Sequence, residues 1–317
     1  MEKQWIIYDT DMDTDCDDAG ALGIVLSRVK AGKAGLLGIV ADAPVPHAAP
    51  CCEAICRWYG VECLIGAARA DRYSADPRFD AYRGHRSRLP KGCYYNEALA
   101  DSVGKTDKDY LPAGLAYRKM LAGAEDGSVT IVCVGLMTAL AELLESPADD
   151  ISPLNGVELC RKKVKCVVSM STAPYPRYDQ PNFNYMMDAA GAHTALEKCP
   201  APIYVSPEGT EVITGHSFAR TLPPEHPLRR AYMQFAGSLF GNENAGRSSW
   251  DLIAALYALE PENPMFRLEE HGTVHYDQDG LAWWDDEGSR RDGQIHLAVP
   301  NAVMAARLET LMTENIG

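Results

Sequence analysis

Short, nearly continuous apolar runs recur through the first 215 residues, at 5–8, 36–41, 63–66, 129–134, 164–170 and 202–205. Runs that lack polar alternation are those of strands buried on both faces. Between them lie helical patterns at about 19–29, 48–59, 111–124, 138–145 and 187–198. In the first of these, Leu22, Val25, Leu26 and Val29 recur at the 3–4 spacing of one helix face. Strand and helix in alternation predict an α/β fold, an open and mostly parallel sheet flanked by helices.

The texture changes along the chain. Residues 68–109 are rich in Arg, Asp, Tyr and Gly and show no period, as a functional loop or lid does. Helical patterns return at 227–240 and 250–259. From 265 to 299, short alternating segments separated by Asp279-Gly280 and Glu287-Gly288 predict a C-terminal β meander attached to the main sheet. Alternation there allows only one of Trp283 and Trp284 to be buried. A last helix starts near Asn301. No repeat or break in composition divides the chain, so 1–317 is read as a single domain.

A hydrophobic content of 46% allows a large core. A net charge of −14 argues against a nucleic-acid backbone or an anionic membrane surface as partner, and leaves a neutral small molecule open. The ten cysteines show no C-x-x-C spacing; Cys51, Cys52 and Cys56 fall on one predicted helix as buried thiols. The start, Met1-Glu2-Lys3-Gln4, has no leader-like apolar stretch, and no segment reaches membrane-spanning length. A cytoplasmic protein is expected.

The chemistry concentrates at the end of the first strand. Asp9, Asp11, Asp13, Asp15, Asp17 and Asp18 crowd into ten positions between that strand and the first helix. Carboxylates packed together raise one another's pKa, and a divalent cation reverses the penalty. An all-oxygen donor set selects a hard ion, calcium or magnesium. The carboxyl end of a strand is where open α/β sheets bind ligands. Asp9, Asp11 and Asp13 have the first three spacings of an EF-hand loop, but Thr14 stands where that loop needs glycine and Gly20 where it needs glutamate. A phosphatase of the haloacid-dehalogenase type, with D-x-D-x-T after a strand, is the alternative; Asp13 occupies the threonine position.

The stretch D-T-D-M-D-T-D-C-D-D-A-G-A-L resembles the N-terminal signature of the nucleoside hydrolases, the inosine–uridine-preferring enzymes and their bacterial paralogues, with Asp13 where the long form has glycine. Three further segments follow in order. Val134-Gly135-Leu136-Met137-Thr138-Ala139-Leu140-Ala141 resembles G-P-L-T-N-L-A. Asn182-Phe183-Asn184 with Asp188-Ala189-Ala190 resembles E-x-N…D-x-x-A-A. Ser249-Trp250-Asp251 resembles the segment supplying the last metal carboxylate.

That resemblance implies a Rossmann-like core and calcium-dependent hydrolysis of a ribonucleoside's N-glycosidic bond, giving ribose and free base. It implies Asp11 as ligand and general base, with Asp18, Asp251 and the Thr138 carbonyl as further ligands. Asp15 and Asp13 are left as ligands or as partners of ligands. Asp17, Asn184 and Asp251 are implied on the ribose; Met170, at the end of a strand, is read either as touching the sugar or as core. Asp42 stands where the family carries a ribose-binding asparagine, Asn182 replaces a glutamate, and Trp250 replaces a histidine that some members use on the leaving base. Indole stacks on a base but does not protonate it. These departures also admit a non-catalytic nucleoside- or ribosyl-binding relative. A homo-oligomer, dimer or tetramer, is expected from the resemblance alone. Outside it, Asp251 is a helix-terminal carboxylate, Thr138 a helix cap, Asn182 and Asn184 loop asparagines, and His85 an exposed loop histidine.

Overall fold

The computed structural model describes residues 3–13, 15–69, 80–90, 93–178, 180, 182–277 and 280–314, without the side chains of 81, 82 and 85. Thr14, the side chain of His85, Asp279 of the expected turn and 70–79 of the aperiodic stretch lie outside the described residues. The strands are β1 (Gln4–Thr10), β2 (Ala34–Ala41), β3 (Leu64–Ala67), β4 (Leu111–Pro112), β5 (Val129–Cys133), β6 (Val164–Met170), β7 (Arg177–Tyr178), β8 (Ile203–Ser206), β9 (Ile213–Thr214), β10 (Arg247–Ser248), β11 (Phe266–Tyr276), β12 (Ala282–Asp285) and β13 (Asp292–Leu297). One sheet runs in the order β4-β3-β2-β1-β5-β6-β8-β13-β11-β12-β7, and β9 and β10 form a separate ribbon.

The portion from β4 to β13 is parallel, and β11, β12 and β7 extend it antiparallel. The expected mostly parallel α/β sheet with a C-terminal β region is therefore present. The order within that region differs from a simple meander. β11 lies between β12 and β13, so the chain returns past β11 and joins the main sheet through its last strand. Trp284 is buried and Trp283 is not, as strand alternation requires.

The chain leaves β1 toward β2 on one side and later returns to pair β5 on the other. That reversal opens a crevice at the carboxyl ends of β1 and β5, the place where such sheets bind ligands. Ile6 and Tyr8 pack into one core with the helices Asp17–Lys30, Ala48–Tyr59, Trp250–Leu259 and Asn301–Thr313. Ile7 packs into the opposite core with Ala113–Ala122, Thr138–Glu145 and Ala189–Lys198. The helix Trp250–Leu259 is buried nearly all round, which explains its lack of a polar face. All ten cysteines are free thiols, and those on Ala48–Tyr59 are buried. Among the described residues no helix is long and apolar enough to cross a membrane.

His226 caps the helix Pro227–Phe240: its Nδ1 accepts from the Leu228 amide at 3.2 Å, and the ring meets the edges of Trp58 and Tyr59. It is fully buried, Nε2 has no partner among the described residues, and burial pushes its pKa down to about 4. The unfolded chain takes up this proton near pH 6.5, while the folded chain resists it down to about pH 4. Stability from this group is thus complete above pH 6.5 and falls by about 1.4 kcal/mol per unit as the pH drops. Urea unfolding of wild type and His226→Asn at several pH values between 7 and 4 is expected to show a shallower slope in the variant, which keeps a capping acceptor but cannot titrate. Parallel slopes would contradict the assignment.

Candidate active site

Two helices begin beside one another at the crevice. The first, Asp17–Lys30, follows the acidic loop and opens on Asp17 and Asp18; the second, Trp250–Leu259, carries Asp251 in its first turn. Helix N-termini favour anions, and here two of them share one group of carboxylates. The Asp251 amide donates to Asp17 Oδ2 at 3.2 Å, tying the two turns together.

Asp17, Asp18 and Asp251 are each almost fully buried, and each offers an oxygen within 4.8 Å of the others. Burial, then the neighbouring carboxylates, pushes all three pKa values well above the usual carboxylate range. Hydrogen bonding relieves only part of this. The Thr10 hydroxyl donates to Asp18 Oδ1, the Tyr8 hydroxyl holds the Asp18 carbonyl at 2.9 Å, and Asp251 Oδ1 is buried with no donor among the described residues. An unsatisfied buried acceptor between like charges is costly. A divalent cation with a preference for oxygen satisfies all three groups at once, so the residues present fit such an ion. Asp11, at the end of β1, is buried beside this cluster and raises the pKa of both Asp17 and Asp18.

These carboxylates form one end of a cavity of about 500 Å³, a size suited to a small organic ligand. Asp11, Asp15, Asp17, Asp18 and Asp251 line it together with Met170, Asn182, Asn184 and Trp250, so most of the expected site residues share one space. Asn184 Nδ2 donates to the Val134 carbonyl at 2.7 Å, which leaves its own oxygen as an acceptor. Asn182 does the reverse: its oxygen caps the helix Phe183–Met187 by accepting from the Tyr185 amide at 3.0 Å, which leaves its NH₂ as a donor. Trp250 Nε1 donates to Thr210 Oγ1 at 3.1 Å.

Four expected residues sit elsewhere or are otherwise engaged. Thr138 starts the helix Thr138–Glu145 behind the cavity wall, and its hydroxyl donates to Asp188 at 2.6 Å. The cavity wall on that side is Val134, immediately after β5. Asp42 follows β2, its amide donating to the Thr10 carbonyl at 2.9 Å, and it is sealed beneath the site against Asp9 and Gly135. Among the described residues nothing donates to either Asp42 oxygen, and burial, then the Asp9 carboxylate beside it, pushes the Asp42 pKa well above the usual carboxylate range. A side chain at Gly135 would strike both Asp42 and the Asp11 amide, so glycine is required there. Asp15 lines the cavity, but both its oxygens accept from Arg247 Nε, at 2.9 and 2.8 Å. Asp13 lies off the cavity, paired with Arg86 and bonded to Asn96 Nδ2 at 3.0 Å.

Sequence reasoning missed Val134, Arg247 and an apolar wall of Leu89, Phe235 and Leu239. Arg247 had a local signal: it stands four residues before Asp251. The wall residues had none: helical spacing marks Phe235 and Leu239 equally well as core, and Leu89 lies in the aperiodic stretch.

Neither a protein-family model nor a curated protein sequence matches the chain. Solved structures do. An inosine–uridine-preferring nucleoside hydrolase from Bacillus anthracis aligns over 99% of both chains at 17% identity with a TM-score of 0.64. A purine-preferring ribonucleoside hydrolase from Gardnerella vaginalis aligns over 99% of both at 15% identity and 0.67. The type III effector protein XopQ, solved with adenosine diphosphate ribose, aligns over 99% of this chain and 93% of its own at 16% identity and 0.69. With three aspartates gathered at the carboxyl end of its central strand, this chain has a nucleoside-hydrolase-like fold.

Proposed function

We propose that this protein hydrolyses the N-glycosidic bond of a ribonucleoside, using a calcium ion held by Asp11, Asp18 and Asp251 with Asp17 alongside. The observation that carries the reading is the Asp17–Asp18–Asp251 cluster at one end of a cavity whose other walls offer two oppositely oriented amides and an aromatic face. At the Thr138 position the ligand we propose is instead the backbone carbonyl of Val134, which borders the cavity. A hard dication held by these residues would lower the pKa of a water and anchor vicinal hydroxyls. Asp11 accepts the proton that water gives up. Asn184 accepts from one sugar hydroxyl and Asn182 donates to another, which holds the anomeric carbon in line with the attacking oxygen. The bond then breaks through an oxocarbenium-like state, as glycosides do. Met170 and Trp250 line the same cavity, and we assign them to the sugar and the base.

Charge favours a neutral substrate. Five aspartates and one arginine line the cavity, so a phosphorylated ligand meets net negative charge even with a dication bound. The phosphatase alternative fares worse. It needs Asp9 as nucleophile, and Asp9 is fully buried off the cavity, hydrogen-bonded by the Tyr117 hydroxyl.

The test is steady-state hydrolysis of purine and pyrimidine ribonucleosides with calcium, with magnesium, and after chelation. Base release that chelation removes and calcium restores is the expected result. Tight nucleoside binding without any release over long incubation would mean a binding protein instead.

A further inference from the structure

Arg247 is the one cation among the described residues lining the cavity, and the roles assigned so far leave it unused. It sits on β10, where the ribbon pairs it with Thr214 of β9. Its guanidinium is fixed on two sides. Asp15 takes Nε at 2.9 and 2.8 Å and also Nη2, and Asp15 is itself held by the Cys16 amide at 2.7 Å. The cation lies over the Trp250 ring at 5.0 Å and the Phe235 ring at 5.5 Å. Nη1 has no partner among the described hydrogen bonds. The guanidinium is partly exposed and keeps its proton, and the Asp15 pairing raises its pKa further.

We infer that Arg247 binds the departing base through Nη1 and stabilises the negative charge that the base takes up. The inference rests on the hydrolase reading. As that bond breaks, the C1′–N electron pair moves onto the base, while the water oxygen bonds to C1′ and its proton passes to Asp11. The base leaves as an anion and takes a proton from solvent after release. No general acid is needed, because a fixed charge-assisted donor already meets the charge. Trp250 and Phe235 supply flat apolar surface beside that donor, and bases that present a hydrogen-bond acceptor are the ones recognised. Asp15 is then a positioning residue: it sets the guanidinium and keeps it from collapsing onto Asp17 and Asp251.

Two substrates separate this role from a structural one: the nucleoside that the wild type cleaves best, and p-nitrophenyl β-ribofuranoside, whose leaving group carries negative charge without help. Arg247→Met keeps the apolar stem and loses the charge. It is expected to lower kcat on the nucleoside by about 10²–10³-fold, the scale of removing one donor from a developing anion, and to raise the ratio of nitrophenyl riboside to nucleoside turnover by at least about 30-fold. Arg247→Lys is expected to fall between, since a point charge replaces a planar fork. Equal losses on both substrates, with an active wild type, would make Arg247 structural and overturn the inference alone. No loss on either overturns it as well. A wild type inactive on both substrates would sink the hydrolase reading and this inference with it.

Discussion

Asp11→Asn is expected to lower kcat by about 10³-fold at saturating calcium, within the range found for loss of a positioned general base. Asp11 is 3% exposed, borders the cavity and stands beside the buried carboxylate cluster. The amide keeps its shape and volume, so the core is unchanged, but it cannot take a proton from water. Asp11 is also one of the proposed ligands, so the variant needs more calcium. Titrating calcium to saturation separates that effect from the chemical one. The control is Asp13→Asn. Asp13 is an aspartate of the same loop, but it faces Arg86 and Asn96 off the cavity, so its substitution is expected to lower stability and leave kcat within about threefold. An Asp11→Asn enzyme that keeps more than about a tenth of wild-type kcat at saturating calcium would remove Asp11 from the proton-accepting role.

The same pair of aspartates shows what was legible in the chain. The strand, the acidic loop and the helix were readable because apolar period and charge change abruptly at Asp9. The parallel sheet followed from repeating that pattern, whereas the helix Gly156–Lys163, capped by Asn155 and Glu158, was not read from the sequence. Direction was not legible. Six aspartates in one run read alike until the fold supplies Arg86 and Asn96 to Asp13 and Arg247 to Asp15, partners 73 or more residues away that no local spacing announces. Asp42 looks like a site residue because it ends a strand beside β1, yet one step of chain direction puts it under the floor. Thr138 and Val134 lie four residues apart, but one starts a helix and the other ends a strand, and the cavity meets the strand end. The two-residue strands β4, β7, β9 and β10 are too short for any period to show. β13 joins β8 rather than following β12 because sheet partners are set by packing across the whole molecule.

Asp251→Asn is expected to move stability in opposite directions with and without calcium, and the sign follows from magnitudes. Without an ion, three buried carboxylates lie within 4.8 Å of one another. At an effective dielectric near 20, two full charges at that separation repel by about 3–4 kcal/mol, and protonation relieves part of that. Asp251 also has one oxygen without a donor. Against this stands the attraction of a helix N-terminus for a carboxylate, about 0.3–1 kcal/mol. Repulsion and desolvation exceed that gain, so neutralising Asp251 is expected to stabilise the metal-free protein by about 1–2 kcal/mol. With calcium at about a thousand times its dissociation constant, the wild type gains about 4 kcal/mol, and the variant, having lost a charged ligand, gains little. Thermal unfolding of both proteins in chelator and in excess calcium reads this directly. The variant's Tm should be the higher in chelator and the lower in calcium. A variant less stable than wild type in chelator, with an undiminished calcium shift, would show that Asp251 is an ordinary helix-terminal carboxylate and that the ion, if bound, sits elsewhere.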